Sequence, residues 1–313
     1  MFLFLLVVLS VLKEGALFQQ FSRARSQSKQ TLNNSVNGDP LRNKTNAKLE
    51  WLEGNSWLIE VEGVKLLLDP VFDTLDFGMP SLYKGDKKFF KNYEELTESI
   101  GKKADHLVIT QGLADHCCSK TIPRLAKVLK KSARIIAPPS AFPFISKSFP
   151  SDRVTYVRPN DQVVLKGENG GEISVVTFQG SQVGPPTQEH ENGYIFRKKG
   201  ADAGGIFIEP HCMWTEKSIA GLKADVVLTP TFGQRLGPEI LHYTILRSGE
   251  PAVELARKLE AKKIVSFHNA DAETSGFLTK VITQTGDEHE FEKLANQNGI
   301  EFIRVEAGLA LEV

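Results

Sequence analysis

Asn55-Ser-Trp-Leu-Ile-Glu-Val-Glu-Gly-Val-Lys-Leu-Leu-Leu-Asp-Pro70 is the stretch that decides the fold. Trp57 to Val61 and Val64 to Leu68 read as two strands, and Glu62-Gly63 between them reads as a tight turn. The second strand is apolar without alternation, so it is expected to be buried on both faces, as strands covered by helices are. It stops at Asp69-Pro70.

Outward from this hairpin, residues 71–92 are rich in Gly, Pro and aromatics and read as a loop, and residues 93–101 as a short helix. His106-Leu-Val-Ile-Thr110 is a short buried strand, followed by a polar turn over Gln111–Ser119. Ile122, Leu125, Val128 and Leu129 recur at helical spacing over residues 120–131. Further strands are expected at 133–137, 153–157, 162–165, 172–178, 193–197 and 205–208. In the last third, strands at 225–229 and 263–267 alternate with helices at 251–262 and 287–298, and strands at 301–305 and 309–313 close the chain. Strand-rich hairpins followed by strand–helix alternation predict an α/β fold, with mixed sheets and helices packed outside them. No internal repeat and no linker follows residue 50, so residues 49–313 are expected to form one domain.

The 313 residues include 38 Lys+Arg and 38 Asp+Glu, a formal net charge of zero. That disfavours a broad nucleic-acid-binding field. Three cysteines, Cys117, Cys118 and Cys212, are too few for a disulfide framework and fit a reducing compartment. The charge is unevenly placed: residues 1–48 hold seven Lys/Arg against two Asp/Glu. Within them, residues 2–12 are almost wholly apolar, roughly half of the ~20 residues that span a bilayer, so no stable membrane span is expected. The rest of this segment is basic and rich in Ser, Gln and Asn, like an organellar transit peptide. Residues 1–48 are therefore expected to be a targeting or disordered leader, plastid first among addresses, with secretory delivery or membrane anchoring as the alternative.

Three segments place polar residues just beyond buried strands, where α/β folds build sites. They are Thr110-Gln-Gly-Leu-Ala-Asp-His116, Ile208-Glu-Pro-His211 and Ser266-Phe-His-Asn-Ala-Asp271. They gather His116, His211 and His268 with Asp115, Glu209 and Asp271, a donor set suited to zinc, iron or manganese. Cys117 and Cys118 follow His116 and Cys212 follows His211, which leaves open a thiol nucleophile or redox chemistry.

The order and spacing of these motifs resemble the metallo-β-lactamase fold superfamily over residues 51–313. The hairpin ending in Leu-Leu-Asp-Pro resembles its opening motif, and Thr110–His116 resembles its T-H-x-H-x-D-H loop. Asn192–Phe196 with Gly205–His211 resembles its later strand pair, and Ser266-Phe-His268 its final histidine. Thr-Gln-Gly-Leu-x-Asp-His and Glu-Pro-His resemble a subgroup of photosynthetic organisms. The resemblance implies a four-layer αββα sandwich, hydrolase-like chemistry and a small-molecule substrate.

It also implies a damaged metal centre. Gln111 and Leu113 stand where the family's first two motif histidines stand, and no histidine occurs near Phe178–Gln182. What remains implies one divalent ion, zinc first, with iron or manganese as alternatives. Asp115, His116, His211 and His268 would be its ligands, with Asp115 and His116 acting in catalysis on an ester or phosphoester. Gln111, Asp271 and Glu209 would orient those ligands. A non-catalytic binding scaffold on the same fold is the competing expectation.

Overall fold

The computed structural model describes residues 45–182, 190–238 and 242–313. Two seven-stranded sheets face each other. In spatial order the first runs Ala310–Glu312, Ala47–Trp51, Trp57–Val61, Val64–Leu68, His106–Val108, Ile135–Ala137 and Val154–Tyr156. The second runs Glu301–Ile303, Lys263–Phe267, Val226–Pro230, Ile206–Ile208, Asn192–Lys198, Glu172–Gln179 and Gln162–Lys166. In each sheet one half is antiparallel and the other parallel.

The deciding hairpin forms as its sequence demands. Trp57 pairs with Leu68 and Val61 with Val64, and the turn residues Glu62 and Gly63 take φ of 50° and 79°. Positive φ at both central residues matches the right-handed twist of the flanking strands. Leu66 and Leu68 point between the sheets, and Leu67 points outward.

Period-2 alternation thus divides the apolar residues among three interfaces. Leu49, Trp57, Ile59, Leu66 and Val108 of one sheet meet Tyr194, Phe196, Ile208, Leu228 and Phe267 of the other. Leu67, Leu107 and Ile135 pack against Leu96, Ile100, Ile122 and Leu125 of helices Tyr93–Lys103 and Thr121–Val128. Ile195, Phe207, Val227 and Ile264 pack against Val253, Ala256, Phe291 and Ala295 of helices Glu250–Lys258 and Glu288–Gln297. The result is the expected four-layer αββα sandwich.

The folded body starts earlier than residue 49. Thr45 is buried and donates from Oγ1 to Asp225 Oδ2 at 2.7 Å, and the first strand begins at Ala47. The expected leader otherwise lies outside the described residues. Among the described residues, no helix is long and apolar enough to cross a membrane.

A three-stranded sheet of Tyr243–Leu246, Gly233–Leu236 and Ile282–Thr285 is absent from the sequence reading, as is the pair Lys84–Asp86 and Glu273–Ser275. These strands are short and largely polar. With few apolar side chains to bury, they carry no alternating signal.

Trp57 and Phe267 meet edge to face between the sheets, with ring centroids 5.4 Å apart. The Trp57 indole N–H is buried without a partner. Trp57→Ala is expected to lose about 3–5 kcal/mol to the cavity it leaves. Trp57→Phe should cost far less, because it also removes a desolvated donor that carries a penalty of about 1–3 kcal/mol. Denaturant unfolding of the two variants checks the contrast. Equal losses would mean that the indole N–H is not a liability.

Candidate functional site

Four strand ends deliver the site. Asp69 follows Leu68, Thr110 follows the His106 strand, Glu209 follows Ile208, and His268 follows Phe267. The loop Thr110–His116 is pinned at its start: the Thr110 N–H donates to Asp69 Oδ1 at 2.7 Å and its hydroxyl to Oδ2 at 2.5 Å. At the loop's end, His116 Nδ1 lies 2.8 Å from Asp69 Oδ2, and both side chains are fully buried. In between, Gly112 passes so close to Ser140 that a Cβ would sit 2.2 Å from its carbonyl carbon, so only glycine fits. The Gly112 N–H donates to Ser140 Oγ at 3.1 Å, and that hydroxyl donates to Glu191 Oε2 at 2.7 Å.

Two polar clusters result. In the first, His116 lies between two carboxylates. Asp69 holds Nδ1, and Asp115 Oδ2 lies 3.6 Å from Nε2. Asn55 donates to the Asp115 carbonyl at 2.8 Å and sits 3.2 Å from Nε2. Burial opposes charge on His116, but Asp115 and Asp69 outweigh it and raise its pKa to about 9. Burial pushes Asp69 up against the pull of His116, and it pushes Glu191 up to about 7.

The second cluster surrounds His211. Gln111 Nε2 donates to His211 Nδ1 at 2.8 Å and to Ser181 Oγ at 3.0 Å, and Ser181 Oγ lies 3.0 Å from the same Nδ1. Glu209 Oε1 stands 3.8 Å from Nδ1 and accepts the Ser181 N–H, while Oε2 accepts the Met213 N–H at 2.6 Å. Burial pushes the His211 imidazole down to about 3, and the charge of His116 acts in the same direction. Its ring centroid is 5.6 Å from that of His116. His211 is therefore neutral. With Nδ1 accepting from Gln111, its ring hydrogen is on Nε2.

The expected four-ligand centre does not assemble. Asp115 and His116 come together, and His211 stands beside them, but His268 does not join. Its Nε2 is 2.9 Å from Glu288 Oε1, and its ring packs edge-on to Trp51 and against Phe232. Glu288 starts a helix and captures the imidazole that the family places on metal. Asp271 is likewise drawn off, into an ion pair with Lys88. Gln111 donates to His211, and Glu209 Oε1 stands 3.8 Å from the same ring. Among the described residues, no three His, Cys, Asp or Glu side chains are arranged to hold a metal ion. A bound metal needs a free lone pair on each imidazole. His211 Nδ1 is occupied by Gln111, which leaves its ring hydrogen on Nε2; with no such group of three gathered among the described residues, the residues as folded do not fit a metal centre.

The three cysteines are buried and unpaired with one another. Burial pushes the Cys212 thiol up to about 12 and Cys117 well above the usual thiol range. Neither is a ready thiolate, so the thiol expectation finds no support at Cys117 or Cys212.

Residues with no role in the sequence reading turn out to be central. Asp69 and Asn55 lie in the deciding hairpin, which was read for the fold and not for the site; a carboxylate ending a buried strand is the signal that could have marked Asp69. Ser181, Ser140 and Glu191 carry no signal of their own, because their contacts cross sheets.

The family described as beta-lactamase superfamily domain matches residues 48–268, and the chain belongs to it. No curated protein matches. Among solved structures, the fold is similar to a novel metallo hydrolase from Ignicoccus hospitalis, at 16% identity over 86% of this chain and 99% of that one, TM-score 0.55. It is also similar to isothiocyanate hydrolase from Delia radicum gut bacteria, at 15% identity, 84% and 98% coverage, TM-score 0.56. A third is the diiron β-hydroxylase CmlA of Streptomyces venezuelae, at 17% identity, 88% of this chain and 55% of that one, TM-score 0.55. At these identities the likeness shows the fold.

His116 links stability to pH. Its raised pKa means that the folded state holds a proton that the unfolded chain has released. The stabilisation is full below the unfolded value near 6.5 and is lost as pH rises through about 9. Denaturant unfolding across that window should show falling stability, and His116→Gln should flatten the slope. Asp69→Asn should cost about 3–5 kcal/mol at neutral pH, because it leaves a buried charge unpaired.

Proposed function

We propose that this chain is a small-molecule-binding member of the β-lactamase superfamily that works without a metal ion. One observation carries the reading: the Gln111 carboxamide donates to His211 Nδ1 at 2.8 Å and to Ser181 at 3.0 Å. A neutral hydrogen-bonded network thus lies where the family resemblance implies a cation. Glutamine in place of a motif histidine turns a ligand position into a donor position. Leu113 in place of the next histidine removes a second lone pair. The fold's strand-end cleft remains, so recognition of a small molecule is retained while the cation's chemistry is not.

One observation favours the second reading, a one-metal hydrolase acting on an ester or phosphoester. Asp115 Oδ2 and His116 Nε2 are 3.6 Å apart, a separation suited to two ligands sharing an ion. Such an ion would need a lone pair freed on His211, which Gln111 holds with its hydrogen on Nε2. Its chemistry would be that of a Lewis acid lowering the pKa of water.

Elemental analysis of the purified chain, followed by a zinc titration read by thermal melting, separates the two. The metal-free reading predicts no stoichiometric zinc, iron or manganese and no saturable rise in melting temperature with zinc. A one-to-one metal content that His116→Ala abolishes would establish the second reading instead. For localisation, the basic leader supports a plastid address. Residues 1–60 fused to a fluorescent reporter are expected to enter plastids, and delivery to the secretory pathway would reverse that assignment.

A further inference from the structure

A cavity of ≈ 370 Å³ opens beside His211. Its polar lining includes Ser181, His190, His211 and Arg247, and its apolar lining includes Met213, Trp214 and Ile245. The volume suits a ligand of metabolite size.

The charges around it are one-sided. Among the described residues lining the cavity, Arg247 is the single Lys, Arg, Asp or Glu. Its backbone N–H donates to the His211 carbonyl at 3.0 Å, which fixes it beside that residue. Its guanidinium meets no carboxylate and no carbonyl among the described residues. Other arginines of this protein are engaged: Arg124 with Asp73, Arg153 with the Ala133 and Lys130 carbonyls, and Arg304 with Glu288 and Glu292. An unpartnered guanidinium on a cavity wall with no acid is a free bidentate donor for a carboxylate.

His211 contributes a second donor. Because Gln111 occupies Nδ1, Nε2 carries the hydrogen. That N–H has no protein acceptor among the described residues, and His211 lines the cavity. The apolar wall is held rigidly: the Trp214 indole N–H donates to the Pro251 carbonyl at 3.0 Å, and Lys258 Nζ stands 5.8 Å from the ring centroid. A fixed aromatic wall and two hydrogen-bond donors lining one cavity describe a ligand with an anionic end and an apolar body.

We infer that this cavity binds a small organic carboxylate, with Arg247 and the His211 Nε2–H holding the carboxylate and Trp214, Met213 and Ile245 covering its apolar portion. The inference deepens the proposed function and rests on its reading of His211 as a hydrogen-bonded residue rather than a metal ligand.

The test uses 3-phenylpropanoate and its neutral amide, 3-phenylpropanamide, titrated against the full chain in the presence of EDTA. Ligand-observed NMR and tryptophan fluorescence follow binding. The expected result is saturable binding of the acid, about tenfold or more tighter than the amide, as a charge-assisted contact provides. Arg247→Gln should remove that preference, and Arg247→Lys should restore part of it. Arg235→Gln, which does not line this cavity, should leave it intact. Melting temperatures of the variants, compared with the parent chain, show that the site rather than the fold has changed.

Equal binding of acid and amide, no saturable acid binding at millimolar concentration, or an acid preference indifferent to Arg247→Gln would each overturn the inference. The metal-free reading fails separately. If acid binding appears only after zinc replaces EDTA, the carboxylate sits on a metal, and the reading of His211 falls with it.

Discussion

The buried pair between Asp69 and His116 is the interaction on which the rest of the site depends. Asp69 ends the deciding hairpin with φ of 42°, a left-handed conformation that costs free energy in a non-glycine residue. Both partners are withdrawn from water, and such a pair is tolerable only if the remaining polar atoms are satisfied. Thr110 supplies that satisfaction from its N–H and hydroxyl. Three residues of the first sheet's strand ends are thereby locked together. The loop between Thr110 and His116 has one course open to it, and that course aims Gln111 across the sandwich at the second sheet.

The consequences run by electrostatics as well as geometry. Two carboxylates hold charge on His116, and that charge together with burial keeps His211, 5.6 Å away between ring centroids, neutral. A cation-like imidazolium thus stands near the place where the family resemblance implies a metal. A neutral histidine fixed by Gln111 and Ser181 stands next to it. Substituting glutamine for histidine at position 111 deletes a ligand and also supplies the donor that consumes the neighbouring lone pair. Glu288 acts on His268 from outside the motif, accepting a hydrogen bond from its Nε2 and holding the ring at the start of a helix.

Much of the fold was legible because it depends on local pattern. The apolar run Val64–Leu68, the Glu62-Gly63 turn and the helical spacing of Ile122 and Leu125 each state their structure within a few residues. The small sheet around Gly233–Leu236 was not legible, since its strands bury little and alternate nothing. The site was legible by position but not by partner. Sequence placed His116, His211, Asp115 and Gln111 at strand ends, and there they are. It did not show that Glu288, twenty residues beyond His268, would capture that imidazole. Nor did it show that Ser181 and Glu191 would reach across to Gln111 and Ser140. Those contacts join residues separated by dozens of positions, and no spacing rule reports them.

The central claim is that His211 Nδ1 accepts a hydrogen bond from Gln111, so that the ring hydrogen stays on Nε2 and neither nitrogen offers a lone pair to a metal. Side-chain ¹⁵N NMR of histidine-labelled protein measures this directly, with the His211 signals identified by their loss in His211→Gln. The account predicts a neutral ring with an unprotonated, hydrogen-bonded Nδ1 and a protonated Nε2 at near-neutral pH, unchanged by one equivalent of zinc. A ring protonated at Nδ1, or Nε2 signals that move to metal-bound values on adding zinc, would contradict it.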